Sequence, residues 1–254
     1  GYKRMSGGAA NFYYNIANAR SRNVFVEPWF RAIYLRAPGG QQSIFAYESI
    51  IDELAFAAGI DPLEFRLRNA ADDRDRAVLE AARKISDWRP GSSGSRGSKD
   101  AVLTGRGVAM ARYGAGESRV ASVADVEVER ASGKVRVKRI FLALDVGLIV
   151  NPDGLLNQAE GGLVQGISRS IHEQVMFDRE KVTSVDWMGY PILRFSELPD
   201  VKVELISRPD QPSSAVGEVG NIATTAVIAN ALFDALGKRI RHVPFAPEVV
   251  KTLL

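Results

Sequence analysis

The chain has 254 residues, 46% of them hydrophobic and 25% charged, which is globular composition sufficient for one large core or two smaller ones. Its 33 basic and 30 acidic residues are interspersed and give a net charge of +3, which argues against a nucleic-acid partner. It has no cysteine and only two histidines, which excludes disulfides and iron–sulfur ligation by this chain and argues against zinc sites.

The first part of the chain, 1–90, is predicted to contain three helices. Residues 1–35 mix aromatic and apolar residues with Gly and Asn and predict loops and short strands. Apolar residues at three- and four-residue spacing predict a helix over 46–58. Asp61-Pro62-Leu63-Glu64 has the features of a helix start, with Asp as N-cap, Pro at the first position and Glu three residues after the cap. A further helix is predicted over 74–85.

A Gly- and Ser-rich stretch around 91–104 predicts a flexible linker between this part and the region 105–254. Alternating residues on both sides of Ser132-Gly133 then predict a β-hairpin. The later elements are predicted to be a glycine-containing helix over 155–171, strands over 183–192 and 201–207, and an apolar helix over 223–236. This mixture predicts an α+β fold with mixed sheets and packed helices, and not a doubly wound repeat.

The N-terminus has no apolar h-region of a signal peptide, and no apolar run reaches the roughly 18 residues that a membrane span needs. A chain without cysteine suits the cytoplasm and the periplasm equally, and between the two we favour the cytoplasm.

The segment Gln158-Ala159-Glu160-Gly161-Gly162-Leu163-Val164-Gln165-Gly166 places two amides and two glycines on one helix face. Amides offer donors and acceptors without charge, which suits a polar cofactor with several hetero-atoms. The other interpretation is a close helix-packing seam with glutamines that are satisfied locally.

A lone glutamate lies between glycines in Val216-Gly217-Glu218-Val219-Gly220, just before an apolar helix. Glycines let the backbone pass close to another group, and burial would raise the pKa of the Glu218 carboxylate and suit it to general-base work. The other interpretation is a surface turn with a solvated glutamate.

Arg36-Ala37-Pro38-Gly39-Gly40 predicts a tight loop with exposed backbone amides that can hold a phosphate or a polar ring edge, or else an ordinary turn with a solvated Arg36. The glycines from Gly105 to Gly116 fail as a dinucleotide fingerprint because an alternating strand pattern follows them, and they predict strand and loop. His172 and His242 lack the spacing of metal or triad chemistry, so structural roles are expected for them.

Taken in order, these stretches resemble the molybdopterin-binding subunit of the xanthine dehydrogenase and aldehyde oxidase family. The resemblance runs over nearly the whole chain, and its most specific part is the pairing of the Gln158 segment with the later Val216-Gly217-Glu218. The other matching stretches are 36–41 with Glu48, 51–55, 59–69, 105–109, 145–147, 150–152, 190–191, and 229–235 with Pro244.

The resemblance implies roles for particular residues. Glu218 matches the family's catalytic glutamate, and Gln158 matches a glutamine that hydrogen-bonds molybdopterin. Arg36 and Ala37, with Gly39 of the same loop, are expected at the cofactor, as is Gly217. No residue of this chain is expected to ligate the metal.

Two elements of the family are absent from this chain: a Gly-Gln-Gly segment with a following Ser/Ala-rich stretch, and the glutamine above the metal. The order of the remaining motifs resembles the isoquinoline 1-oxidoreductase branch, or a member that is split into two molybdopterin-binding chains. The expected partner is therefore a second molybdopterin-binding chain, or an N-terminal half, that carries the missing motifs.

The implied activity is hydroxylation of an aldehyde or an N-heteroaromatic substrate with oxygen from water, with Glu218 as the base. The implied cofactor is molybdenum bound to molybdopterin, in its cytosine dinucleotide form. Electrons would leave through [2Fe-2S] clusters on an iron–sulfur subunit, with FAD on partner chains as a further possibility. A non-catalytic structural or assembly subunit is the alternative, and a nicotinamide-dependent dehydrogenase is disfavoured by the failed fingerprint.

Overall fold

The computed structural model describes residues 13–22, 24, 34–91, 94–114 and 117–254, so most of the loops and short strands predicted over 1–35 lie outside it. The helices are α1 (Gly40–Ala57), α2 (Pro62–Arg68), α3 (Asp73–Ile85), α4 (Pro152–Ile171), α5 (Val219–Ile222), α6 (Thr224–Leu236) and α7 (Pro247–Lys251). The strands are β1 (Val102–Tyr113), β2 (Ser118–Glu129), β3 (Val135–Asp145) and β4 (Asp200–Ile206).

The four strands form one mixed sheet in the order β1-β2-β3-β4. Strands β1, β2 and β3 pair antiparallel, and β4 runs parallel to β3. The predicted hairpin is confirmed: β2 and β3 flank a turn in which Gly133 has a φ of 77°, a left-handed conformation that glycine adopts without strain.

The strand predicted over 183–192 is wrong. This stretch contributes no strand to the sheet: it follows an isolated bridge between Phe177 and Val182 and contains a turn at 187–189. The carboxylate of Asp186 accepts hydrogen bonds from the amides of Met188 and Gly189, at 3.0 and 2.8 Å. This local capping curls the backbone where the alternating residue pattern predicts an extended chain.

The predicted helix starts differ in accuracy. Asp61 caps α2 as expected, because its Oδ1 accepts hydrogen bonds from the amides of Leu63 and Glu64, both at 3.0 Å. Helix α1 begins six residues earlier than the predicted residue 46, at Gly40. Its first turn is polar, so the apolar spacing that predicts the helix does not include it.

Helix α6 lies buried against β1, and glycines in the strand allow the close approach. A Cβ on Gly105 would lie 2.1 Å from the carbonyl oxygen of Ala231, and one on Gly107 would lie 2.3 Å from the Ala231 nitrogen. The Gly105–Gly107 motif is therefore strand, as expected, and serves helix–sheet packing.

One hydrophobic cluster includes residues from both sides of the stretch 91–104, so the two predicted parts of the chain share a core. The sequence predicts no apolar run of about 18 residues, but within the described ranges Val219–Leu236, which covers α5 and α6, is apolar and long enough to cross a membrane by length and composition. It is 89% buried inside the protein, as expected for a central core helix.

A buried ion pair joins α1 to its neighbours. Arg66 Nε lies 2.8 Å from Glu48 Oε2, and both side chains are fully buried. The same carboxylate accepts hydrogen bonds from the amide of Met110 in β1, at 3.0 Å, and from the hydroxyl of Tyr14, at 2.8 Å. Burial raises the pKa of Glu48 against the opposing effect of Arg66. Helices α1 and α2 and strand β1 are thus tied through one carboxylate.

We expect Arg66→Met to lower the free energy of unfolding by about 3–5 kcal/mol, because it leaves the Glu48 carboxylate buried without its partner. The control is Arg68→Met, which removes an exposed pair with Glu64 and should change stability by less than about 0.5 kcal/mol. Urea unfolding followed by circular dichroism measures both, and equal effects of the two substitutions would contradict the prediction.

A second ionic cluster holds the far end of β3. The buried carboxylate of Asp145 lies 2.6 Å from Arg74 of α3 and 2.5 Å from Arg208, which follows β4. Burial opposes ionisation of Asp145, but hydrogen bonds from Arg74, Gly147 and Arg208 outweigh it and lower the pKa of this carboxyl below its usual value.

A carboxyl whose pKa is lowered by folding stabilises the protein above its unfolded pKa, and this stabilisation is lost as the pH falls through the folded value. We therefore expect Asp145→Asn to be clearly less stable than the wild type at pH 7, and the difference to narrow below about pH 4. Urea midpoints between pH 7 and pH 3 measure this. A difference that stays constant across that range would show that Asp145 stabilises through packing and not through its charge.

Candidate functional site

The peptide carbonyl of Gly217, next to Glu218, is fixed by two side chains from distant parts of the chain. It accepts hydrogen bonds from Arg36 Nε at 2.7 Å and from Gln158 Nε2 at 2.9 Å. The loop before α1, helix α4 and the segment before α5 therefore meet at this carbonyl, where three predicted site residues, Arg36, Gln158 and Gly217, are in contact.

The carboxylate of Glu218 is half-buried and accepts a hydrogen bond from the main chain of the loop before α1. The amide of Ala37 lies 2.8 Å from Glu218 Oε1. Burial, and then the nearby Glu218, raise the pKa of Tyr113, the last residue of β1, well above its usual value. Glu218 is thus not the solvated glutamate of a surface turn.

The loop 36–40 has two residues in the left-handed conformation, Ala37 with a φ of 60° and Gly39 with a φ of 71°. Gly39 is the N-cap residue of α1 and does not reach Glu218 directly. The Gly40 amide donates to the Ala37 carbonyl at 3.1 Å, so this amide and that of Ala37 have partners within the protein. The sequence predicts amides that are free for a ligand, whereas here the amide of Ala37 holds the candidate base.

Two guanidinium groups lie beside this site, and the hydrogen bonds that they donate go to neutral acceptors. Besides the Gly217 carbonyl, Arg36 donates to Gln165 Oε1 at 3.2 Å and to the Gln158 carbonyl at 3.4 Å. Arg169 of α4 donates to the Arg36 carbonyl at 2.7 Å and to Asn221 Oδ1 at 3.3 Å.

Burial lowers the pKa of Arg169 against the opposing effect of nearby Glu173. Among the described residues, neither Arg36 nor Arg169 has a carboxylate within ion-pair distance. Half-buried guanidinium groups without a carboxylate partner are suited to binding an anion.

The sequence leaves two interpretations of the α4 glycines open, a helix-packing seam and a face that a ligand can approach. Different glycines of this helix fit each of them. A Cβ on Gly162 would lie 3.0 Å from the Gly220 Cα, and one on Gly220 would lie 2.3 Å from the Ala159 carbonyl oxygen, so these glycines form a packing seam between α4 and α5. A Cβ on Gly161 would meet nothing within 4 Å, so the helix surface there is open.

The sequence does not single out three residues of the site. Arg169 could have been found, because it lies one helical turn after Gln165 and shares its face. Asn221 directly follows the segment Val216–Gly220 but carries no signal of its own. Tyr113 has no local signal, since tertiary packing places its ring beside Gly40, at the start of α1.

Across residues 13–22, 24, 34–91, 94–114 and 117–254, no group of three or more His, Asp or Glu side chains is arranged to hold a metal ion. The chemistry that the site offers is therefore a half-buried carboxylate with a fixed donor, a glutamine amide, and two cationic groups beside an open helix surface.

Two family models, each described as a molybdopterin cofactor-binding domain, match residues 5–70 and 104–199. The chain is 41% identical over 234 residues, 89% of its length, to one of the subunits of nicotinate dehydrogenase from Pseudomonas putida. It is 31% identical over 219 residues, 86% of its length, to the beta subunit of isoquinoline 1-oxidoreductase from Brevundimonas diminuta. The chain spans 20% and 27% of the length of these two relatives.

Solved structures show the same fold. The aldehyde oxidoreductase of Desulfovibrio desulfuricans has a TM-score of 0.70 at 19% identity and covers 86% of this chain, which corresponds to 41% of that one. Quinoline 2-oxidoreductase from Pseudomonas putida 86 has a TM-score of 0.75 at 13% identity, with 85% of this chain and 52% of that chain covered. The α+β fold that the sequence predicts is thereby confirmed.

We expect Gly220→Ala to lower the free energy of unfolding by about 1–3 kcal/mol, because its Cβ would collide with the main chain of α4 at Ala159. The control is Gly161→Ala, which adds a methyl group in open space and should leave stability unchanged or raise it by up to about 1 kcal/mol. Thermal unfolding distinguishes them, and a Gly220→Ala variant that melts like the wild type would contradict the seam.

Proposed function

This chain belongs to the molybdopterin cofactor-binding family of the xanthine dehydrogenase and aldehyde oxidase type, and we propose that it carries the catalytic base of a molybdenum hydroxylase. The observation that carries the proposal is the convergence of Arg36, Ala37 and Gln158 on the Gly217–Glu218 segment. The loop of Arg36 and Ala37, Gln158 and Glu218 lie far apart in the sequence, and the family resemblance selects the same residues.

The residues of the site fit an anionic cofactor rich in hetero-atoms. Arg36 and Arg169 supply positive charge without carboxylate partners, Gln158 supplies an amide, and the surface over Gly161 leaves room for close approach. When bound, molybdopterin would supply the molybdenum centre that accepts two electrons from the substrate. Its cytosine dinucleotide form is part of the proposal.

In this proposal Glu218 removes the proton from the water-derived oxygen that is added to the substrate. A general base of this kind contributes roughly 10²–10⁴-fold to the rate. The Ala37 amide orients the carboxylate through a hydrogen bond, so the position of the base does not have to be found at each turnover. Fixing the Gly217 carbonyl from two sides serves the same end.

The proposed substrate is an aldehyde or an N-heteroaromatic ring. The names of the two curated relatives, a nicotinate dehydrogenase and an isoquinoline oxidoreductase, support the heteroaromatic class. Neither name decides which ring this chain's enzyme takes.

The proposed enzyme is larger than this chain. The missing cofactor elements would come from a second molybdopterin-binding chain or an N-terminal half, and [2Fe-2S] clusters and FAD would lie on partner chains, since this chain has no cysteine. Val185, Trp187, Met188 and Phe195, which follow one another closely in the sequence, are each at least 73% exposed, and large exposed apolar side chains of this kind support a partner surface.

We expect Glu218→Gln to lower kcat of the purified complex by at least about 10²-fold while molybdenum content and melting temperature stay unchanged, because the amide cannot take up the proton. The control is Glu180→Gln, an exposed glutamate in the loop after α4, which should leave kcat unchanged.

Metal analysis, melting curves and steady-state kinetics measure these quantities. Wild-type turnover of the Glu218→Gln variant would contradict the catalytic role. A complex that contains molybdenum but has no turnover in the wild type would favour the non-catalytic assembly subunit instead.

A further inference from the structure

We propose that the free edge of β4 pairs, antiparallel, with the same strand of a second copy of this chain, so that the two sheets join across a two-fold axis at Val203. The inference concerns assembly and does not depend on the catalytic role proposed for Glu218.

The opposite edge of the sheet, at β1, is closed by side chains. The amide of Arg106 donates to Asp234 Oδ2 at 2.9 Å, and the carbonyl of Val108 accepts a hydrogen bond from Asn230 Nδ2 at 2.9 Å. Both partners belong to α6, and farther along the edge the amide of Met110 donates to the buried carboxylate of α1. An edge whose main-chain groups are covered in this way is protected against a further strand.

Strand β4 lies at the other edge, and its main chain is hydrogen-bonded on one side only. It pairs parallel with β3 along its whole length, Asp200–Ile206. Apart from β3, no group in the described ranges hydrogen-bonds to the main chain of this strand. Alternate N–H and C=O groups of β4 therefore point away from the sheet, where they can pair with another extended chain.

The side chains of β4 alternate between an exposed charged face and an apolar face that is partly buried against the core. The two sets are Asp200, Lys202 and Glu204, and Val201, Val203 and Leu205. Within the described part of the chain, neither Lys202 nor Glu204 forms an ion pair. A row of one charge would keep two copies of the edge apart, but here the sign of the charge alternates.

This alternation selects one register for a two-fold pair. Residues directly opposite each other in an antiparallel pair lie on the same face of the sheet, so the axis must pass through a residue of β4. An axis at Lys202 or at Glu204 would place that residue opposite its own copy, and like charges would meet. An axis at Val203 places Lys202 opposite Glu204 of the second copy, and Val201 opposite Leu205. Opposite charges and apolar pairs across the strands both stabilise such a sheet.

The same arrangement limits the assembly to two copies. Each copy contributes the four strands of its sheet, and the β1 edges, which side chains cover, lie at both ends of the joined sheet. A two-fold contact uses the same surface on both copies and is therefore satisfied once it forms.

The experiment measures the mass of the full chain, with any chains that copurify, by sedimentation equilibrium at low salt. We expect two copies of this chain per particle. Lys202→Glu alone and Glu204→Lys alone should each raise the dissociation constant of the dimer about tenfold, because each replaces the attractive pairs with repulsive ones. The double variant should return to within about threefold of the wild type, since it only exchanges the two charges. Lys99→Glu, at an exposed lysine before β1, is the matched control and should change nothing.

A cross-link tests the position of the axis. Because this chain has no cysteine, Val203→Cys gives it a single thiol, which would lie opposite its own copy at about 4.5–5.5 Å between Cβ atoms. A short bifunctional thiol reagent should then give a covalent product of twice the chain mass on a denaturing gel. Lys99→Cys should give no such product.

The inference is overturned by one copy per particle in the wild type, by a double variant as weak as the single ones, or by equal cross-linking of Val203→Cys and Lys99→Cys. A particle with one copy of this chain that loses a partner chain in Lys202→Glu would place a different protein at this edge and would also overturn it. The proposed catalytic role is judged separately, by the turnover of Glu218→Gln, so either proposal can fail without the other.

Discussion

The buried ion pair of Glu48 and Arg66 is the constraint on which the placement of the site depends. The Glu48 carboxylate of α1 binds Arg66 of α2, the Met110 amide of β1 and the Tyr14 hydroxyl. These contacts fix the position of α1 on the sheet. Because α1 begins at Gly40, three residues after Ala37, the position of the Ala37 amide is set by this core contact. Two charges without exposure to water are costly unless they are paired and hydrogen-bonded, which makes the position of α1 sharply defined.

The other half of the site is set by close backbone packing and not by charge. Gly162 and Gly220 bring α4 and α5 together at a distance that side chains would prevent, and this brings Gln158 within reach of the Gly217 carbonyl. The two constraints meet where Arg36 binds that same carbonyl. The Glu218 carboxylate and the guanidinium groups of Arg36 and Arg169 therefore lie near each other without forming ion pairs.

The sequence predicts features of this molecule that depend on neighbouring residues. The Asp61 cap, the hairpin around Gly133 and the apolar helix α6 follow from spacing and turn chemistry, and all are confirmed. The strand over 183–192 is wrong because capping by Asp186 competes with the alternation of residue types. Glu218 and Gln158 are singled out through the family resemblance, whereas Tyr113 depends on tertiary contacts that no local pattern encodes.

The donation from Ala37 to Glu218 comes from the main chain, and this has a consequence for how the site responds to mutation. Every amino acid except proline carries the same N–H group, so alanine scanning cannot reveal this contact, and the position is already alanine. Because Ala37 has a φ of 60°, the requirement at this position is a residue that tolerates the left-handed backbone conformation. A saturation library at this position would rank residues by their tolerance of the left-handed region, with glycine favoured and proline and β-branched residues depleted. The pattern of tolerated substitutions at a contact to the candidate base would then resemble that of a turn.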